Sequence, residues 1–149
     1  MERDTGMKRT TGFAALAAGL GLLIALPNAV LAAAEDAIGT WVDSETGATT
    51  EIFSCPGGIC VKIVTPSKAR EVDNNNPDPK LKGRSMAGVV IMTGAVKHGD
   101  DRWKGDLYNS EDGRTYTGYV VVSSKDQLKL EGCVLGGIIC KSRIWNRAK

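Results

Sequence analysis

The sequence predicts an all-β fold: a small antiparallel β-barrel of about eight strands with one long Asn/Pro-rich loop. Three observations carry that prediction. Short segments of alternating polarity recur along the chain, set apart by Gly, Asn, Asp and Ser clusters every ~8–12 residues. Beyond the N-terminal apolar stretch, no segment keeps a helical period over about ten residues. Glycines fall within the strand-like segments, at Gly88, Gly105, Gly118 and Gly132, where a small closed sheet has to bend. Closure also removes the unpaired edges that an open sheet of this size would expose.

The chain opens with an address. Arg3, Lys8 and Arg9 form a basic head, diluted by Glu2 and Asp4, and an uncharged run follows from Phe13 to Leu26. Pro27 ends the run, and the small residues of AVLAAAE offer cleavage after Ala32 or Ala34. These are the three parts of a secretory signal peptide, and the run is shorter than the ~20 residues of a membrane span. Residues 1–34 therefore read as a removed leader, with Met1 or Met7 as its start, and residues 35–149 as one domain without a transmembrane segment. The expected location is periplasmic or secreted.

In order, Gly39 to Asp43 is the first short strand, closed by the turn Ser44-Glu45-Thr46-Gly47. Thr49 to Ser54 and Ile59 to Thr65 follow, joined by the CPGGIC hairpin; Ile59, Val61 and Ile63 share one face. Ala87 to Thr93 is apolar on both faces, which suits a fully buried strand or a helical turn equally. Lys97 to Asp101 is a turn. In Arg102 to Asn109, Trp103, Gly105 and Leu107 alternate with charged neighbours, and Asp112-Gly113 marks the next hairpin. Arg114 to Ser123, Gln127 to Val134 and Ile138 to Trp145 complete the set.

Four cysteines, Cys55, Cys60, Cys133 and Cys140, lie in the exported part. An even number in a small secreted domain reads as two disulfides with three possible pairings. Cys55–Cys60 and Cys133–Cys140 are favoured, because each pair brackets a Gly-Gly turn. Their C-x4-C and C-x6-C spacings differ from the C-x2-C of a zinc site, so no metal is expected. The whole chain has a formal charge of +2, and removing the leader brings it near neutral. With no block of like charge, the sequence offers no electrostatic reason to expect nucleic acid or an anionic membrane.

The stretch Asp73 to Gly88, DNNNPDPKLKGRSMAG, interrupts this pattern. Pro77 and Pro79 lack amide donors and force Asn76 and Asp78 towards extended backbone. The Asx side chains fold onto nearby amides. The result is a stiff polar loop presenting Asp73, Asp78 and Arg84, with Asp73, Asn76 and Arg84 expected to form one hydrogen-bonded unit. Arg84 is expected to fork onto Asp73 or Asp78. Together with Trp103, Tyr108 and Tyr116, the residues Asp73, Asn76, Asp78 and Arg84 make the candidate binding surface.

Catalytic residues are harder to find. His98 is the one histidine and sits in a Gly/Asp turn; G-x-S-x-G and phosphate-cradling glycine loops are absent. Asp73 with Asp78, or either with Glu111 or Asp112, remains as a carboxylate pair of the kind that cuts glycosidic bonds, provided that one carboxyl has a raised pKa.

Gly39-Thr40-Trp41, Cys55…Cys60 and Asp73…Asn76-Pro77…Leu81…Arg84…Gly88 form an ordered set. It continues with Trp103-x-Gly105-x-Leu107-Tyr108, Asp112 to Tyr116, Gly132-Cys133…Cys140 and Trp145-Asn146-Arg147. In this set the chain resembles an exported bacterial family, domain of unknown function family 2147. It departs from that pattern at Ser85, where the family often has proline, and at Asn109-Ser110, where it often has Asp-Pro. The resemblance implies fold and location and assigns no reaction. A weaker resemblance links Gly39-Thr40-Trp41 to lipocalin-like barrels, in which a late basic residue, here Arg143 or Arg147, packs over the indole.

These readings converge on a non-enzymatic binding module of the envelope, without cofactor or catalytic residues. Its expected partner is a small or lipidic, envelope-derived ligand or an envelope protein. The alternatives are a carboxylate-dependent hydrolase of envelope sugars and a structural or assembly factor without ligand.

Overall fold

The computed structural model describes residues 32–149, so the expected leader up to residue 31 lies outside the described residues. Eight antiparallel strands follow one another around a closed barrel, and the last pairs with the first. They are β1 (Gly39–Asp43), β2 (Thr49–Cys55), β3 (Gly58–Thr65), β4 (Val90–Lys97), β5 (Arg102–Asn109), β6 (Arg114–Ser124), β7 (Gln127–Val134) and β8 (Ile139–Arg147). Among the described residues no helix is long and apolar enough to cross a membrane.

Two readings of the fourth strand change. β4 begins at Val90, is not fully buried (Val90 is 40% exposed) and runs on through Lys97, which the sequence placed in a turn. Its pairing is irregular around Gly94, which takes a left-handed φ of 63°, and that irregularity erases the two-residue period. Gly88 lies just before the strand and donates its N–H to the Ile63 carbonyl at 2.7 Å.

The meander gives the barrel two different ends. The CPGGIC hairpin, the turns at 98–101 and 125–126 and the C-terminus meet at one end. A single 3-10 turn, Ala34–Ala37, closes that end, with Ala34 and Ala37 fully buried. Ala34 donates its N–H to the Asp100 carbonyl at 2.8 Å. Trp41 Nε1 donates to the Ala37 carbonyl at 2.8 Å, and Trp103 Nε1 to the Ala34 carbonyl at 2.7 Å.

Arg147, not Arg143, covers the first-strand indole: its guanidinium lies 4.2 Å from the Trp41 ring centroid. Nη1 and Nη2 donate to the carbonyls of Ile38 and Asp36, and Nε to that of Lys125. The glycine of Gly39-Thr40-Trp41 follows from this packing. At φ 141° a side chain there is strained, and its Cβ would collide with Arg147.

The apolar core fills this closed half with Trp41, Ile52, Ile59, Val61, Val120, Val122 and Leu128. Burying each such side chain stabilises by about 1.5–3 kcal/mol. Above it, Met92 packs into the space left where Gly105 pairs with Gly118. Two disulfides, Cys55–Cys60 at the closed end and Cys133–Cys140 at the open end, match the favoured pairing.

Candidate functional site

The open end is built from the β1–β2 turn, the long β3–β4 connection, the β5–β6 turn and the β7–β8 turn. Inside it lies a cavity of about 710 Å³. That volume falls in the range of small-molecule sites, ~300–1,000 Å³. Ile63, Ile91, Leu107, Leu130 and Trp145 supply apolar wall; Asp43, Arg70, Glu111, Asp112, Lys141 and Arg143 supply charge.

The charged groups are mostly committed. Asp43 Oδ1 accepts the amides of Glu45 and Thr46, fixing the β1–β2 turn. Arg143 pairs with Glu45, Arg70 with Glu111, and Asp112 accepts the Tyr116 hydroxyl. That last bond pushes the Asp112 carboxyl below the usual carboxylate range and raises the Tyr116 phenol. Trp145 is different. It lines the cavity, yet its indole N–H is buried without an acceptor among the described residues. Its neighbours two and four residues back on β8, Arg143 and Lys141, also face the cavity.

The Asn/Pro loop is anchored beside this cavity by one buried acid. Asp73 is fully buried. Its Oδ1 accepts the Tyr108 hydroxyl at 2.5 Å, and its Oδ2 accepts Asn76 Nδ2 at 2.7 Å and Arg84 Nε at 3.2 Å. The main chain reinforces the same residue: Asp73 donates to the Arg84 carbonyl and accepts from Gly83, at 2.9 and 2.8 Å. Arg84 thus meets Asp73 through Nε alone and does not fork.

Asn76 Oδ1 accepts the Asp78 amide at 2.9 Å, and Asp78 Oδ1 in turn accepts the Lys80 amide at 2.9 Å. The loop tip docks on the β5–β6 turn, where Asn75 Nδ2 donates to the Glu111 carbonyl at 2.7 Å. Gly113 permits that approach, since a Cβ there would run into the Asn75 carbonyl.

Electrostatics follow the bonding. Burial alone would raise the Asp73 pKa, but the donors Tyr108, Asn76 and Arg84 outweigh it, and the carboxyl is held below its ordinary value. Tyr108 is pushed up to about 12, first by burial and then by the Asp73 carboxylate that its hydroxyl serves. Neither Asp73 nor Asp112 has the raised pKa that a general acid requires.

Among the seven residues singled out from the sequence, Asp73, Asn76, Arg84 and Tyr108 come together in one network. Tyr108 and Tyr116 reach the cavity wall. Asp78 is exposed in the loop, and Trp103 belongs to the closed end. Sequence reasoning missed Lys141, Arg143 and Trp145 as cavity-facing; their two-residue spacing along the last strand was the available signal. Among the described residues, no group of three or more His, Cys, Asp or Glu side chains is placed to hold a metal ion.

Comparison with known proteins agrees with the architecture. No curated protein gives a match. A solved structure, "Protein HP1028 from the human pathogen Helicobacter pylori belongs to the lipocalin family", is similar with 27% identity and a TM-score of 0.66. The similarity covers 76% of this chain and 83% of that one. Residues 39–147 match the family model described as "Uncharacterized protein conserved in bacteria (DUF2147)". The chain, a lipocalin-like barrel, belongs to that family.

Proposed function

We propose that this protein is a non-enzymatic binding module of the bacterial envelope that takes a small or lipidic molecule into the open half of its barrel. The observation that carries the reading is the cavity of about 710 Å³, with apolar wall below and charged groups around it. A closed barrel of eight strands is just wide enough to fill with side chains or to hold one small ligand; here Leu107, Leu130 and Trp145 of the core line an open space in place of filling it. Tyr108 and Tyr116 contact the ligand from the wall, while Asp73, Asn76 and Arg84 hold Tyr108 in place. The envelope location is supported by the leader-like N-terminus and by two disulfides.

Mass spectrometry of protein purified natively from its host tests this directly. A co-purifying small molecule, displaced when the protein is unfolded, is the expected result. Recovery of a partner protein in its place, with the cavity empty, would overturn the reading.

A further inference from the structure

We infer that the turn between β7 and β8 is a docking tip that seats the mouth of the barrel on an anionic lipid surface. The turn places Leu135 and Ile138 on either side of Gly136-Gly137, and they are 70% and 83% exposed. Val134 and Ile139, exposed at 40% and 56%, continue the apolar surface down to the cavity, which both of them line. Isolated exposed aliphatic residues need no explanation, but a contiguous set at one projecting turn does.

The turn is also held in shape. Cys133 and Cys140 are bridged at its base, and Leu135 has a φ of 52°, a left-handed conformation unusual for a residue with a side chain. A free loop with four aliphatic side chains would fold them inward; this one is stapled outward.

Charge selects the partner. From Gly132 to Arg143, the stretch that forms the tip and its base, the chain contains Lys141 and Arg143 and no Asp or Glu. Near-neutral overall composition hid this asymmetry. Lys141, next to the tip, forms no ion pair among the described residues. Of the acids on the flanking turns, Glu45 is paired by Arg143 and Glu111 by Arg70, while Asp112 keeps its charge and accepts the Tyr116 hydroxyl.

Size argues for a bilayer rather than a protein. A stable protein interface uses about 20–30 residues a side, far more than one reverse turn supplies. A few aliphatic side chains beside a cation make a weak, reversible interfacial anchor. Docking there would turn the cavity mouth towards the acyl chains. The inference stands on the tip itself and does not require an occupied cavity.

Flotation with vesicles of phosphatidylcholine, with and without phosphatidylglycerol, tests it. The parent should float with the anionic vesicles, and Leu135→Ser with Ile138→Ser should reduce partitioning roughly tenfold. Lys141→Gln should weaken flotation only on the anionic vesicles. Ile138→Ser alone, at the most exposed position, should give a smaller loss in the same direction and guards against a folding defect. Binding of an anilinonaphthalene sulfonate dye without vesicles should be unchanged in the serine variants, whose positions lie outside the cavity wall, which separates loss of the tip from loss of the cavity. A parent that fails to float, or serine variants that float as the parent does, would overturn the inference. So would a parent dimer in sedimentation that the serine variants abolish, since the tip would then cover a second copy.

Discussion

At the closed end of the barrel, the indole N–H groups of Trp41 and Trp103 each meet a main-chain carbonyl, at 2.8 and 2.7 Å. In the wall of the open-end cavity, the indole N–H of Trp145 meets none among the described residues. An unpaired buried donor costs about 1–3 kcal/mol. The closed end avoids that cost, and it adds a guanidinium whose Nε, Nη1 and Nη2 all donate to carbonyls. The open end tolerates an orphan donor, a cavity and an exposed aliphatic tip. Stability is concentrated at one end, and the surfaces that are expensive to maintain are gathered at the other.

Substitutions should therefore act unequally. The largest loss is expected from Trp41→Ala, about 3–5 kcal/mol in denaturant unfolding, because it removes core bulk together with the seat of Arg147. Comparable loss from any single cavity-wall substitution would break the contrast.

Asp73→Ala should come next, at about 2–4 kcal/mol, since it removes the one acceptor shared by the Tyr108 hydroxyl, the Asn76 amide and Arg84 Nε. The buried acid also sets a pH dependence. Its folded pKa lies below the unfolded value, so its stabilisation is present above about pH 4 and is lost as pH falls through the folded value. Asp73→Asn should accordingly show a shallower acid limb in melting temperature against pH. Tyr108 works in the other direction. Its raised pKa means stabilisation that is complete below about pH 10 and lost as pH rises towards about 12. Tyr108→Phe should remove that late phase from a spectrophotometric tyrosine titration.

Much of this was legible beforehand. Strands such as Arg102–Asn109 and Gln127–Val134 were readable to the residue, because alternation and Asp-Gly or Ser-Lys-Asp turns mark both ends. The Gly39-Thr40-Trp41 motif and a late arginine gave the closed end, although which arginine stacks depends on barrel closure. The cavity was not legible. Lys141 and Arg143 face inward, and charges on an inner face look like the outer face of an ordinary strand. Trp103, read as part of the binding surface, sits at the closed end because the 3-10 turn that accepts its N–H is a short alanine-rich segment beside the expected leader cut. Aromatic composition alone does not say which end of a barrel a residue occupies.

That segment sharpens the closed-end account further. A chain beginning at Glu35 would lack the Ala34 carbonyl that Trp103 uses, and it should be less stable by about 1 kcal/mol than one beginning at Ala33. Denaturant unfolding of the two chains checks this, and equal stability would remove Ala34 from the closed-end account. The smallest effect is predicted for Trp145→Phe, within about 0.5 kcal/mol of the parent, because relief of the unpaired donor offsets the packing lost from a buried indole.

The cavity itself is tested most directly by filling it. Gly132 lines it on β7, and a Cβ there would meet only Leu107 and Tyr116, at 3.6 and 3.8 Å, without backbone strain. Titration of the parent and of Gly132→Leu with the anilinonaphthalene sulfonate dye is therefore the decisive measurement. A binding site in the open half predicts at least about a tenfold weaker affinity, some 1.4 kcal/mol, at an unchanged melting temperature. Equal dye affinity in parent and variant would contradict it.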